Sequence, residues 1–369
     1  MRISSTAVLL SETSSAELLR HPARRLGIWT LWLALLVFGL MILGGYVRLS
    51  GSGLSIPEWP IINGSLLPPL TEADWQAVYR TYHIVIEGVD PSQHYEGPAV
   101  GIIPMERFQV MFWIEYAHRF LAALVGIVFL ALFLQVLRIA SLRHRYGLRF
   151  TWLAVLLLVQ AVLGGIVVKS DLKPEMVTAH LGMASLFLGL LIWTGLQMYD
   201  ARQVRHTTSA YRWAVVALSA TTLQILLGGL VAANYAGHFM NTFPTMGGYW
   251  IPPGLWSSDF QPAILNVFHN KVLVQFLHRW WAWGVFAAVT ALVWVSWRAP
   301  GVSVRGRLLL RSVFSVLVLQ LLLGIATLLL QVPIALGLMH QAVGFLLFAI
   351  LVAITYELRY ASVALPRAQ

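Results

Sequence analysis

Eight apolar stretches, each long enough to cross a bilayer as a helix, constrain this chain more than any other feature. A hydrocarbon core of about 30 Å takes about 20 helical residues. Runs of that length fall at 27–47, 110–137, 150–169, 176–199, 213–233, 272–297, 308–331 and 334–356. Only 11% of the residues are charged and 58% are hydrophobic, against roughly a quarter charged in soluble domains. The expected fold class is an all-α integral membrane protein with eight transmembrane helices. The first run is too long and too far from residue 1 for a cleaved signal peptide, and no small-residue cleavage site follows it. Residues 1–20 read as a disordered tail.

The 25 basic residues outnumber the 15 acidic ones, a formal charge of +10. In a soluble chain such an excess would suggest nucleic acid. Here the arginines gather between alternate apolar runs: Arg20, Arg24 and Arg25 before the first; Arg138, Arg143, Arg145 and Arg149 between the second and third; Arg202, Arg205 and Arg212 between the fourth and fifth; Arg298, Arg305, Arg307 and Arg311 between the sixth and seventh. That pattern sets both termini in the cytoplasm and the other loops outside. Nucleic acid is excluded as a partner. The two long loops, rich in Pro, Gly and Trp, are expected to fold as a cap over the outer face.

The chain repeats internally. His118-Arg119 recurs as His278-Arg279, His180 as His340, Gln160 as Gln320 and Gly164 as Gly324, all at an offset of 160 residues. Leu43-Gly44-Gly45 resembles Leu227-Gly228-Gly229 at an offset of 184, the first outer loop being the longer. One offset shared by three helices implies two tandem four-helix bundles related by an axis along the membrane normal. The expected organisation is a tail at 1–26, a first unit at 27–200, a linker at 201–212, a second unit at 213–358 and a tail at 359–369.

With no cysteine in the chain, disulfides, thiolate metal sites and Cys-ligated clusters are excluded, and metal chemistry falls to the 11 histidines. His118, His180, His278 and His340 lie at one depth on even-numbered helices. Within each unit the two are 62 residues apart on different helices, which suits imidazoles approaching a flat macrocycle from both faces, as in bis-His b-type haem in a bundle. A zinc site would want three or four converging ligands. His21, His83, His94, His144, His206, His238 and His269 read as solvated surface residues.

The halves differ at Glu115, three residues before His118, where the repeat places Gln275. A carboxylate near the hydrocarbon edge has a task. It is either an ion-pair partner of Arg119 or Arg107, or the local proton acceptor of a reaction centre in the first unit, with the second unit's haem only passing electrons. Arg119 and Arg279 could snorkel to lipid or pair with haem propionates. The glycine pairs Gly44-Gly45, Gly164-Gly165 and Gly228-Gly229 serve close helix approach or room for a ring.

The residues resemble those of the haem A synthases of bacterial and mitochondrial membranes. The likeness runs from Gly44-Gly45-Tyr46-Val47-Arg48-Leu49-Ser50 through Glu115-Tyr116-Ala117-His118-Arg119, Ala179-His180-Leu181 and Gln224-Ile225-Leu226-Leu227-Gly228-Gly229. It continues with Asn241-Thr242-Phe243-Pro244, Gln275-Phe276-Leu277-His278-Arg279 and His340-Gln341. The resemblance implies oxidation of the C8 methyl of haem O to the formyl of haem A by successive hydroxylation. His118 and His180 would flank the substrate haem O, Glu115 would be the catalytic carboxylate, and His278 and His340 would ligate a resident haem b, with Arg119 and Arg279 as further cofactor contacts. It also implies the bacterial plasma (inner) membrane as the location, with the long loops and the histidine sites on the periplasmic side, membrane lipid, haem O synthase and cytochrome oxidase assembly factors as partners, and a homo-oligomer as an option. The chain departs from the family at Ala122-Ala123, where members carry Gly-Arg, and at residues 173–178, where they carry a Ser-Gln-Tyr-Arg-Leu-Ala run. The alternative from the residues alone is a dihaem electron-transfer cytochrome; a transporter built from parallel repeats is a third reading.

Overall fold

The computed structural model describes residues 5–62, 64–65, 67–91, 101–200, 208–299 and 301–360, with side chains from His21 onward. Regular structure among the described residues is helical apart from two isolated bridges in loops. Eight long helices account for the spans: α1 (Ser5–Leu49), α2 (Met105–Arg138), α3 (Ala140–Lys169), α4 (Pro174–Asp200), α5 (Ser209–Ala233), α6 (Lys271–Trp297), α7 (Val304–Leu329) and α8 (Ile334–Arg359). Each contains a stretch long and apolar enough to cross a membrane.

The helices overrun the apolar stretches at their arginine-rich ends. α3 starts one residue after α2 stops, so Arg143, Arg145 and Arg149, expected in a connecting loop, sit on its first turns. Arg212 likewise lies on α5, and Arg305, Arg307 and Arg311 on α7. Arginine is a good helix former whose stem lies along apolar surface while its head reaches water, so the helix need not end where the hydrocarbon does. Residues 5–20, expected to be disordered, continue α1 as helix; their Ala, Leu and Glu residues favour that conformation. Of the expected linker and tails, residues 1–4, 201–207 and 361–369, including Arg202, Arg205 and His206, lie outside the described residues.

α1 packs on α2 and α4, α2 on α3, and α3 on α4; α5 packs on α6 and α8, α6 on α7, and α7 on α8. The two sets meet where α4 lies against α5 and α8, and where α1 lies against α8. The α3–α4 and α7–α8 turns are built alike. Asp171 and Leu172 (φ 53° and 58°), and at the matching places Gln331 and Val332 (φ 61° and 59°), adopt left-handed backbone that non-glycine residues seldom take. Proline follows in both, at Pro174 and Pro333, the first residue of α4 and the residue preceding α8. At the arginine-rich end, Arg305 of α7 pairs with Asp200 of α4 and with buried Glu357 of α8, and Ser303 donates to Glu357 at 2.6 Å. Tyr356 donates to the Leu196 carbonyl at 3.2 Å. This polar knot ties the two sets, and losing one partner of a buried ion pair costs about 3–5 kcal/mol.

Both long loops fold back onto the helices. The first carries the helix Glu72–Tyr82, begun by a capping box in which the Thr71 side chain accepts from the Asp74 amide and Asp74 accepts from the Thr71 amide. Its Trp75, Tyr79 and Tyr82 pack with Phe108 and Phe112 of α2 as a small aromatic core. Burial, then the Glu87 carboxylate to which it donates, raises the Tyr82 hydroxyl above the usual tyrosine range. His83 is fully buried there, which corrects the expectation that it is solvated. Both ring nitrogens are bonded: Nδ1 lies 2.9 Å from the Tyr79 carbonyl and Nε2 accepts from the Ile103 amide at 3.2 Å. The expectation rested on position in a loop, and this loop has its own core. In the second loop the buried Asn266 bonds Ser257 through both ends of its amide, and Asn270 caps α6 by accepting from Val272 at 3.0 Å while donating to the Gly254 carbonyl at 2.9 Å.

Candidate functional site

The four repeat-matched histidines are seated by one device. An ideal Cβ built on Gly44 would stand 3.0 Å from Cε1 of His118; on Gly164, 3.1 Å from His180; on Gly228, 3.1 Å from His278; on Gly324, 2.9 Å from His340. Each histidine of an even-numbered helix therefore rests its ring on a glycine of the preceding odd-numbered helix, at a separation that a side chain would close. The choice left open in the sequence is resolved for the first glycine of each pair: it makes room for a ring. The second glycines receive other groups, namely the Gln341 amide at Gly45, the Trp59 indole at Gly165, and Leu181 and Thr178 at Gly229.

Four residues before each seat stand Leu40, Gln160, Gln224 and Gln320, whose backbone carbonyls lie within reach of the corresponding imidazoles. The Gln160 amide lies 3.4 Å from Nε2 of His180, and the Gln224 amide 3.2 Å from Nδ1 of His278 while donating to the His278 carbonyl at 3.0 Å. Buried Nδ1 of His118, His180 and His340 has no hydrogen-bond partner. In these three, a ring held by its carbon edge keeps a nitrogen available for a metal, whereas at His278 the Gln224 amide also lies 3.4 Å from Nε2 and would have to turn aside for a metal to bind there. The Gln-x-x-x-Gly spacing of α3, α5 and α7 was visible in the sequence; what it does for the histidine was not.

The rings of His278 and His340 stand edge to face, with centroids 6.4 Å apart and planes at 82°. Two imidazoles on opposite sides of one ion, with metal–nitrogen bonds of about 2.0–2.1 Å and roughly 1.1 Å from nitrogen to ring centre, stand about 6.3 Å apart. His278 and His340 therefore stand at the separation of two imidazoles that would hold one haem iron between them. His118 and His180 are also near enough to interact electrostatically.

Beside each first-helix histidine, the residues at −3 and +1 hold the outer loop. Buried Glu115 accepts from the Ser55 hydroxyl at 2.8 Å, the Ile56 amide at 3.0 Å and Arg119 at 2.6 Å. Arg119 donates further to the Glu58 carbonyl at 2.6 Å and the Ile56 carbonyl at 2.5 Å. In the other half Gln275 donates to the carbonyls of Ala236 (3.1 Å) and Phe239 (2.7 Å), and Arg279 to those of Thr242 (2.7 Å), Pro244 (3.1 Å) and Thr245 (3.0 Å). Each arginine holds an outer loop by its backbone carbonyls. They differ in what is left over. Nη1 of Arg279 is buried without a partner, an N–H in want of an acceptor such as a carboxylate, whereas both terminal nitrogens of Arg119 are engaged.

The remaining histidines stand apart. His21, His144 and His238 are exposed, and His269 is partly buried, 3.4 Å from a Glu175 carboxylate oxygen. His94 and His206 lie outside the described residues.

Residues 27–352 match a protein-family model, COX15-CtaA, described as cytochrome oxidase assembly protein. A heme A synthase of Nitrosospira multiformis is 33% identical over 369 aligned residues, covering 97% of this chain and 99% of that protein. The heme A synthase of Maricaulis maris is 35% identical over 92% of this chain and 97% of its own length. That of Caulobacter vibrioides is 33% identical over 91% and 97%.

Proposed function

This chain belongs to the COX15-CtaA family of cytochrome oxidase assembly proteins, and from that premise we propose that it oxidises the C8 methyl of haem O to the formyl group of haem A. Each of two successive hydroxylations replaces one C–H bond by C–OH and takes two electrons from the methyl carbon to an oxidant supplied from outside this chain; the geminal diol so formed loses water to leave the formyl group. The reading rests above all on the four glycine-seated histidines, two of them at the centroid separation that would hold one iron between them. The helices divide into two tandem four-helix units, 27–200 and 213–358, with both termini in the cytoplasm and the histidine end at the periplasmic face of the inner membrane.

The second unit holds haem b through His278 and His340, and Arg279 offers its free Nη1 to a propionate. When bound, that haem supplies a one-electron relay. The first unit binds the substrate haem O between His118 and His180. Glu115 is the only buried carboxylate at the histidine end among the described residues, the other buried acid being Glu357 at the opposite end. It serves as the local carboxylate that accepts a proton and stabilises positive charge near the substrate. Arg119, already engaged, holds the loop and Glu115 in place and can lend its charge to a propionate only by exchanging one of those bonds. Haem O synthase and cytochrome oxidase assembly factors are the proposed partners, with self-association as a further option.

Acid extraction and chromatography of the haems from purified protein test this reading. A mixture that includes haem O, hydroxylated haem O or haem A is expected; haem B alone would move the assignment to a dihaem electron-transfer cytochrome. Gly324→Ala crowds His340 without removing it, at an overpacking cost of about 1–3 kcal/mol. The expected result is a retained b-type haem whose low-spin electron paramagnetic resonance signal shifts, because the imidazole plane has turned.

A further inference from the structure

α1 and α5 each carry two consecutive glycines, and the two glycines of a pair face different partners. On α1, Gly44 receives His118 of α2, while Gly45 receives the side-chain amide of Gln341 from α8, which donates to the Met41 carbonyl at 2.8 Å. On α5, Gly228 receives His278 of α6, while Gly229 receives Leu181 from α4, whose Cδ2 lies 2.9 Å from where a Cβ would be. Gln341 follows His340 in sequence, and Leu181 follows His180. Thus the neighbour of each unit's second histidine is pressed against the glycine that follows the seat of the other unit's first histidine.

We propose that Gln341 and Leu181 are crossed positioning residues: Gln341, beside a ligand of the second site, sets the seat of His118 in the first, and Leu181, beside a ligand of the first, sets the seat of His278 in the second. The inference rests on the assignment of a substrate site to the first unit and a resident haem to the second. Physically, a glycine face has no side chain of its own to fix its distance from a neighbouring helix, so the group seated on it does so. The crossing is unequal. Gln341 hydrogen-bonds the α1 backbone, whereas Leu181 holds α5 by packing. α1 therefore cannot shift relative to α8 without losing a hydrogen bond in an apolar setting, where an unmade bond is expensive.

The test uses the full-length protein in detergent or nanodiscs, with two readouts that do not depend on turnover: the low-spin b-type spectrum for the second site and a haem O binding titration for the first. Gln341→Met keeps length and removes the donor. It is expected to leave the b-type spectrum in place and to weaken haem O binding about five- to tenfold, the scale of one net hydrogen bond. Leu181→Ala is expected to do the reverse, shifting the b-type signal or lowering resident haem content while haem O binding stays within about twofold, since loss of the seat partner acts on packing around His278. Either variant alone decides its own half if the other does not fold. Uncrossed effects in a protein whose wild type has a normal b-type spectrum, with Gln341→Met disturbing only the b-type signal and Leu181→Ala only haem O binding, overturn the proposal and leave the assignment of the two sites standing. A wild type with no b-type spectrum overturns both.

Discussion

His278→Ala and His340→Ala should each lose most of the low-spin b-type spectrum, whereas His118→Ala and His180→Ala should keep that spectrum and make no haem A. The expectation follows from two imidazoles fixed 6.4 Å apart in the second unit: a low-spin iron needs both axial nitrogens, and removing either leaves half of the binding pair and a ring-sized hole beside Gly228 or Gly324. In the first unit the same substitutions remove a contact to substrate, so product falls to background. The measurements are a dithionite-reduced minus oxidised spectrum per mole of protein and the haem A content of the producing cells. Equal loss of the resident haem in all four variants would refute the division of labour between the units. His83→Ala is the control: although buried like a ligand, its ring is bonded to Tyr79 and Ile103 in the first loop, so the substitution should destabilise that loop and leave the second-unit spectrum unchanged.

Eight spans, the internal repeat and the four histidines were legible in the chain because each is a one-dimensional signal: a hydropathy run, a fixed offset, a residue type at matching places. The seats were not. Gly44 and His118 lie 74 residues apart and Gly228 and His278 lie 50 apart, and only the packing of α1 on α2 and of α5 on α6 brings them together. The arginines between spans marked one end of the bundle, yet their place on helices rather than in loops depends on where hydrogen bonding stops, which charge does not report. His83 shows the same limit in a loop, where burial came from Trp75, Tyr79, Phe108 and Phe112 folding together. The repeat pairs Arg119 with Arg279 and suggests lipid or propionate as their contacts, but their carbonyl partners lie 34 to 63 residues away, in loops whose conformation has no periodic signature.

Glu115→Gln should cut haem A formation by about two orders of magnitude or more, the usual scale for a positioned acid–base group, with the second-unit spectrum retained. Two effects of the substitution have to be separated. Gln cannot accept a proton at the substrate, and it also disturbs the clamp. Glu115 receives three donors, from Ser55, Ile56 and Arg119, and an amide can offer its oxygen to only one side of that set, leaving its own N–H against a donor. The Arg119 guanidinium then loses its ion-pair partner in a largely buried place, a penalty of roughly 3–5 kcal/mol before its carbonyl bonds are counted. A double-mutant cycle resolves the two. Arg119→Met together with Glu115→Gln removes the unpaired charge, and the second unit already manages with Gln275 at the matching position. If the carboxylate acts on the substrate, the double variant regains thermal stability but not turnover. Recovery of turnover to within about threefold of Arg119→Met alone would mean that Glu115 serves only to pin Ser55 and Ile56 over His118, and the proton acceptor would have to be sought among groups brought in with the substrate, its propionates first.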